Sequence, residues 1–465
     1  MRFSSSRAPA LLSLAAVVAV VEAGNVNVEH RQASSQSPAS SGTTSSAASA
    51  PSSVRTGAAA SLTFSLASQN PTAIPISSIT ATMSTVPTIP LASTPPAGAT
   101  PSVSGAPGLP DAASIDPRKY PALDLKPPID SPEVQAWKQE VANSGITIPN
   151  ITATVAGGCP ANPQAVADTG RCWWTCGGCT RETDISDCPN KNTWGLTFDD
   201  GPGFYTPNLL EYLDSTQLHA TFFVVGSRCV SNPHALQLEY MRGHQISVHT
   251  WSHPSLTTLT NDEIIAELGW SRKVIKDILG VTPNTMRPPF GDIDDRVRAI
   301  ARAMNLTPVM WTRLGPLATF DTDDFNVHNG MTTTPQVLNN WNAILGNAST
   351  MNTGFIVLQH DLFQETVDIA TGYILPDAIK KGLNIQPVVS CLNKPMIDSY
   401  VETNDNKTNP PPISATNVAT LSSGAPGSAQ ATGATGKNGA MQNAPLSAST
   451  ALVGSALAVL FTMWL

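Results

Sequence analysis

The chain is predicted to be an α/β protein whose parallel strands close into a distorted or incomplete (β/α) barrel, flanked by disordered Ser/Thr/Pro-rich segments. Three observations lead there. Short apolar runs alternate with helical patterns through the middle of the chain, residues able to do catalytic chemistry stand where those runs end, and both ends are poor in large apolar and charged residues. Strands alternating with helices imply a parallel sheet, and about six such units in one domain imply a barrel rather than an open sheet.

Only 13% of the 465 residues are charged, while Pro (39) and Gly (32) are plentiful, so much of the length is not expected to build a core. The net charge of −8 excludes the basic field that nucleic acid requires. Residues 1–23 contain Arg2 and Arg7, an apolar stretch from Ala10 to Val21 and the small-residue pattern Val21-Glu22-Ala23. That is the pattern of a secretory signal, too short to span a membrane. Residues 24–158 read as a mostly disordered stalk, in which Arg55 is the only charge between Ser34 and Gly108. Such a tract has too few large apolar groups to offset chain entropy, and its Ser and Thr content suits O-glycosylation.

The other end repeats this composition. Residues 401–440 read as a disordered linker, and 441–465 as a signal for attachment of a glycolipid (GPI) anchor, removed on maturation. The apolar tail Ala451 to Leu465 follows a polar spacer and lacks the roughly 20 apolar residues of a spanning helix. Asn438 in Asn438-Gly439-Ala440 is the expected attachment residue; a retained tail anchor is the alternative. Sequons at Asn150, Asn305, Asn347 and Asn406 suit passage through the secretory pathway.

Seven cysteines stand at 159, 172, 176, 179, 188, 229 and 391. In a secreted chain these imply disulfides with one thiol left over, rather than a zinc knuckle. Cys391, far from the others, is placed to tie the end of the folded domain to its beginning. A small cystine-rich sugar-binding module around Trp173 and Trp174 is a further reading.

The folded domain is expected over 159–400, with a core at 192–387. Strands are predicted at Trp194 to Phe198, Ala220 to Val225, Gln245 to Val248, Thr307 to Trp311, Gly354 to Leu358 and Ile385 to Val389. Helices are predicted at Pro207 to Gln217, Pro233 to Arg242, Asn261 to Leu279, Asp294 to Met304, Pro335 to Leu345 and Thr366 to Lys381. The third helix has a capping box, Thr260-x-x-Glu263, and Gly280 as its stop.

Asp199 and Asp200 follow the first strand, His249 the third, and His360 lies just past the run ending at Leu358. In a parallel barrel the carboxyl ends of the strands share one face, and that face carries the active site. Adjacent carboxylates repel, so Asp199 and Asp200 suit water, a cation or a shared proton; a helix-capping turn is the structural alternative. If the turn after the strand is helical, His249-x3-His253 sets two imidazoles on one face, as metal ligands stand. Two His and one Asp leave coordination positions open, which is the pattern of a catalytic site. His219, His234 and His328 read as structural or surface residues.

Five segments together carry a resemblance. They are Thr197-Phe198-Asp199-Asp200-Gly201-Pro202, His249-x3-His253, Arg287-Pro288-Pro289-Phe290-Gly291, Asp321-Thr322-Asp323-Asp324-Phe325 and Leu358-Gln359-His360. In this order they resemble the five motifs of polysaccharide deacetylases of the NodB-homology type (carbohydrate esterase family 4), over about Asn192 to Pro387. With the stalk and anchor signal, the chain is similar to the fungal chitin deacetylases of that family. The resemblance implies a NodB-type barrel and metal-dependent removal of acetyl from N-acetylglucosamine units of chitin, leaving chitosan and acetate. It implies Asp199 as general base, and Asp200, His249 and His253 as ligands of a divalent metal, zinc or cobalt. It further implies His360 as general acid, Arg287 as the partner that keeps Asp199 ionised, and Asp324 as the carboxylate that orients and charges His360. Phe290, through its backbone N–H, and Phe325 and Leu358, around the acetyl methyl, are the implied substrate contacts, and Trp311 beside them is a candidate contact. Each of the four has plain core as its alternative, and Phe325 stands where the family usually has Trp. The expected partners are chitin or N-acetylglucosamine oligomers, cell-wall glycans and a membrane reached through the GPI lipid, for a monomer at the outer face of the plasma membrane or in the wall. O-deacetylation of xylan or another glycan, and a wall mannoprotein that binds chitin without turnover, are the alternatives.

Overall fold

The computed structural model of the protein describes residues 62–91, 93–315 and 318–404, together with strands at 419–422 and 430–433. The expected signal, Asn406, Asn438 and the anchor signal lie outside the described residues. Ten strands build the domain: β1 Thr193–Gly195, β2 Thr197–Asp199, β3 Thr221–Val224, β4 Gln245–Val248, β5 Thr285–Met286, β6 Thr307–Pro308, β7 Arg313–Gly315, β8 Ala318–Thr319, β9 Phe355–Ile356 and β10 Asn384–Gln386. β2 to β6 form a parallel sheet in sequence order. β1, running on from the same segment, pairs in parallel with both β10 and β9. The far edge returns to the start: the Thr312 amide donates to the Ile356 carbonyl at 3.0 Å, and the Leu358 amide to the Phe320 carbonyl at 2.9 Å. The result is a distorted, parallel α/β barrel, in which Phe198, Phe222, Ile246, Val248 and Met286 are wholly buried.

The helices follow from local chemistry. Helix Asn261–Leu279 has both bonds of its capping box and ends on Gly280 at φ 80°. The expected helix at 366–381 runs from Gln364 to Lys380 with a π turn at Ala370–Ile374. Pro376 has no N–H to give the Gly372 carbonyl, which accepts instead from the Asn70 amide at 2.8 Å. The strand expected over Ile385 to Val389 stops at Gln386, because Pro387 starts the short helix Val388–Cys391. β5 was not expected, since two residues make no periodic signal.

Cys188–Cys391, Cys159–Cys176 and Cys172–Cys179 are bonded and Cys229 is a buried free thiol. The first pair joins the entry of the domain to its end, as expected of Cys391.

The stalk expectation requires correction for residues 62–158. Ile79, Val103, Leu109, Val134, Val141 and Ile148 are buried in the same core as the barrel. Helix Pro132–Asn143 is capped by Ser131 and lays Trp137 on the surface of helix Asn261–Leu279. A Cβ at Gly269 would lie 2.1 Å from the Trp137 ring, so that glycine is what lets the two helices meet. Composition averaged over Ser, Thr and Pro hides these isolated apolar anchors. The linker expectation also changes within 401–440: the Val401 amide donates to the Thr282 carbonyl, and Ala419–Ser422 pairs antiparallel with Gln430–Gly433.

Candidate active site

Three strand ends meet at one mouth of the barrel. Asp199 ends β2, His249 follows β4, and His360 lies four residues past β9 in parallel bridge contact with Asp199. Asp200 adopts φ 80°, a left-handed conformation that turns its carboxylate toward the His249 loop. Asp200 Oδ1 lies 3.4 Å from His249 Nε2 and 3.1 Å from His253 Nε2. One donor atom from each of the three residues lies within 4.8 Å of the others.

The donor set fits a divalent cation. Asp200 Oδ1 is buried with no hydrogen-bond partner, a costly arrangement without a positive ligand. His249 Nδ1 lies 2.7 Å from the Arg287 carbonyl, which only an N–H can use, so Nε2 keeps its lone pair for a metal. Burial pushes the His253 ring below its ordinary value and outweighs the pull of Asp200, keeping it neutral as a ligand must be. Burial alone would raise Asp200. The His253 and His249 imidazoles beside it and the Arg228 guanidinium instead hold it well below the usual carboxylate range.

Two ion pairs flank this cluster. Arg287 is fully buried and donates from Nη1 to Asp199 Oδ1 at 2.7 Å and to Thr197 Oγ1 at 2.8 Å. Its guanidinium lies 4.2 Å from the Phe223 ring centroid. On the other side His360 Nδ1 lies 2.7 Å from Asp324 Oδ1, and the His360 amide donates to Asp324 Oδ2 at 2.9 Å. Burial pushes the imidazole down, but Asp324, aided by Asp200 and Asp199, pushes it up to about 10. One carboxylate is thereby paired with a buried guanidinium, and one imidazole is held protonated by the carboxylate beside it.

The structure brings the expected apolar residues to the same mouth in different ways. Phe290 has φ 59°, is 61% exposed and lies edge-on to His253 at 4.7 Å. Phe325 lies 5.1 Å from the His360 ring, and Leu358 is 8% exposed between Phe320 and Thr322. Trp311 is a buried wall rather than a rim residue: its Nε1 donates to Thr319 and its ring meets Trp174 edge-on at 4.4 Å. Trp173 and Trp174 are themselves buried against the 291–293 turn, which removes them as an exposed sugar platform. Of the sequons, Asn150 is exposed, while Asn305 and Asn347 are half-buried.

Three contributors, Arg228, Asp361 and Glu267, escaped the sequence reading, and Trp174 takes a different place from the one expected of it. Arg228 donates to the Asp200 carbonyl at 2.7 Å, and Trp174 packs on Gly291 beside Phe290. Asp361 accepts from Thr206, which in turn accepts from the Gly203 amide and so fixes the turn after Asp200. Glu267 accepts from the amides of Trp251 and Ser252 and from the Ser252 hydroxyl, tying down the loop between the two His. Glu267 had a readable signal: an acid flanked by Ile264, Ile265 and Leu268 on an apolar helix face needs a buried partner.

A parallel α/β barrel with this constellation at the carboxyl ends of its strands has the site of a hydrolase, with a donor set able to hold a metal. Residues 186–309 match the polysaccharide deacetylase family. Chitin deacetylase 1 of Cryptococcus neoformans is 52% identical over 338 residues, covering 72% of this chain and 71% of that protein. A chitin deacetylase of Amylomyces rouxii is 39% identical over 245 residues, covering 50% of this chain and 56% of that relative. Among solved structures, the chitin deacetylase of Colletotrichum lindemuthianum aligns with a TM-score of 0.42 at 26% identity, over 47% of this chain and 95% of that one. The chain belongs to the polysaccharide deacetylase family and is a carbohydrate deacetylase.

Proposed function

We propose that this deacetylase hydrolyses the N-acetyl groups of N-acetylglucosamine units in chitin, giving chitosan and acetate. The observation that carries the reading is the pairing of Asp199 with Arg287 and of His360 with Asp324 on either side of the Asp200, His249 and His253 cluster. Those three residues would hold zinc or cobalt, which when bound polarises the acetyl carbonyl and lowers the pKa of a water toward about 7. Asp199, kept anionic by Arg287, takes the proton of the attacking water as the new C–O bond forms. The Phe290 N–H stabilises the carbonyl oxygen as it gains charge; Pro289 has no N–H to offer. His360 gives its proton to the amide nitrogen as the C–N bond breaks, since that nitrogen is a poor anionic leaving group. Phe325 and Leu358 flank the acetyl methyl.

The reading extends to where the enzyme works. Residues 1–23 would direct secretion, Asn438 would carry the GPI lipid, and the monomer would act on cell-wall glycans at the plasma membrane or in the wall. Among the described residues no helix is long and apolar enough to cross a membrane. The test compares acetate release from N-acetylglucosamine oligomers and from acetylated xylan. Faster release from the oligomers is expected, and acetate from xylan alone would overturn the substrate. Equal chitin binding by the parent and Asp199→Asn, with acetate from neither, would revive the binding protein.

A further inference from the structure

Trp251 stands between two of the proposed metal ligands, His249 and His253, in a loop with left-handed backbone at Thr250 (φ 65°) and His253 (φ 60°). Such a loop persists only where its surroundings hold it. Glu267 holds it from the helix side. From outside it is held by a segment that precedes the family-matched region. Tyr120 stacks on Trp251 at 6.2 Å and 14°, and the Trp251 indole N–H donates to the Ala122 carbonyl at 3.1 Å. Two residues on, Asp124 accepts from Ser227 Oγ at 2.8 Å. Ser227 precedes Arg228, the residue that donates to the Asp200 carbonyl. The same short strap therefore touches the loop that carries His249 and His253 and the turn whose Arg228 meets the Asp200 carbonyl.

That loop and that turn are also joined to one another beneath the strap. The Gly226 amide donates to the Thr250 carbonyl at 2.9 Å and the Ser227 amide to the Trp251 carbonyl at 3.1 Å. A Cβ at Gly226 would come within 2.7 Å of the Trp251 ring, so the indole lies directly on that turn. The strap is clamped at its ends, where Tyr120 Oη donates to Asp277 at 2.8 Å and Lys126 Nζ meets Glu263 at 2.7 Å. Trp251 is wholly buried, with Tyr120 as one of its walls.

We propose that residues 120–126 are an outer brace of the metal site, and that Tyr120 and Asp124 are positioning residues that set its affinity for a divalent cation. This rests on the reading of Asp200, His249 and His253 as ligands. Outer-shell partners of metal ligands typically contribute 10- to 100-fold in affinity when they fix ligand orientation. The brace acts through packing on Trp251 and through the Ser227 hydroxyl, not through the cation itself.

The test is chelator competition with zinc and cobalt on the full chain, together with the visible spectrum of the cobalt-loaded protein. Tyr120→Ala/Asp124→Ala is expected to bind about 10- to 100-fold more weakly and to shift the cobalt spectrum. Tyr120→Phe keeps the ring on Trp251 and is expected to bind within about twofold of the parent. Lys138→Ala breaks a different contact of the N-terminal segment, the 2.8 Å pair with Asp262, and is likewise expected to leave binding unchanged. If the double variant fails to fold, Asp124→Ala at an exposed position reads the same link, with a loss of about threefold or more expected. Parent-like affinity in a folded strap variant, or an equal loss in Lys138→Ala, overturns the brace. A parent that binds neither metal overturns the ligand reading on which it rests.

Discussion

Asp324 grips His360 twice, with Oδ1 2.7 Å from the ring Nδ1 and Oδ2 accepting the backbone amide at 2.9 Å. The two bonds fix the ring in place and leave Nε2 as its free end. Because the folded pKa of about 10 lies above the ordinary 6.5, the pair stabilises the protein fully below pH 6.5, and this is lost as pH rises through 10. Asp324→Asn is expected to be less stable than the parent near pH 6, with the difference shrinking toward pH 10. The basic limb of its kcat profile moves to lower pH, and kcat near pH 8 falls by about 10²- to 10⁴-fold. Urea unfolding and a pH–rate series check both; a profile of unchanged shape contradicts the role given to Asp324.

Arg287 pairs with Asp199 at 2.7 Å, and both are buried. Arg287→Met strands a carboxylate in the barrel. Breaking a buried pair in this way costs about 3–5 kcal/mol. The variant should unfold at lower urea and lose most of its acetate release. Retained activity with only a stability loss would show that Asp199 needs no guanidinium to act.

Gly269→Ala tests the docking of the N-terminal helix. The added methyl meets the Trp137 ring, so helix Pro132–Asn143 must move away. Overpacking of this kind costs about 1–3 kcal/mol. Thermal unfolding reads the loss, and limited proteolysis should then cut within 62–158 in the variant before the parent. Identical melting and proteolysis would contradict the packing of this segment on the barrel.

Those last two cases mark what the sequence shows and what it hides. The strand-end acids and histidines were legible because a run of apolar residues that stops at a charged one marks both an element and a face. The helix Asn261–Leu279 was legible from its cap and stop. The segment 62–158 was not, because its anchors, such as Val103 and Leu109, are single apolar residues spaced by Ser, Pro and Gly with no period of 2 or 3.6. Asp361 resembles a surface acid in the sequence, and Glu267, though its apolar flanks mark it as buried, gives no sign of its partner. Only the fold shows that each is buried against a loop beside the metal donors.

Cys188–Cys391 closes a separation of 203 residues. Chain entropy alone puts the stabilisation from such a closure at about 5 kcal/mol. Cys188→Ser/Cys391→Ser should melt well below the parent while keeping its metal affinity, since neither residue reaches the mouth of the barrel. Calorimetry with chelator competition separates the two effects.

The most direct test is acetate release from a chitin oligomer by the full chain before chelation, after it, and after zinc or cobalt is restored, beside Asp200→Ala. Activity that vanishes with the chelator, returns with the metal and is absent from the variant is the predicted result. Acetate release that survives chelation, or that Asp200→Ala retains, would contradict a metal centre built on Asp200, His249 and His253.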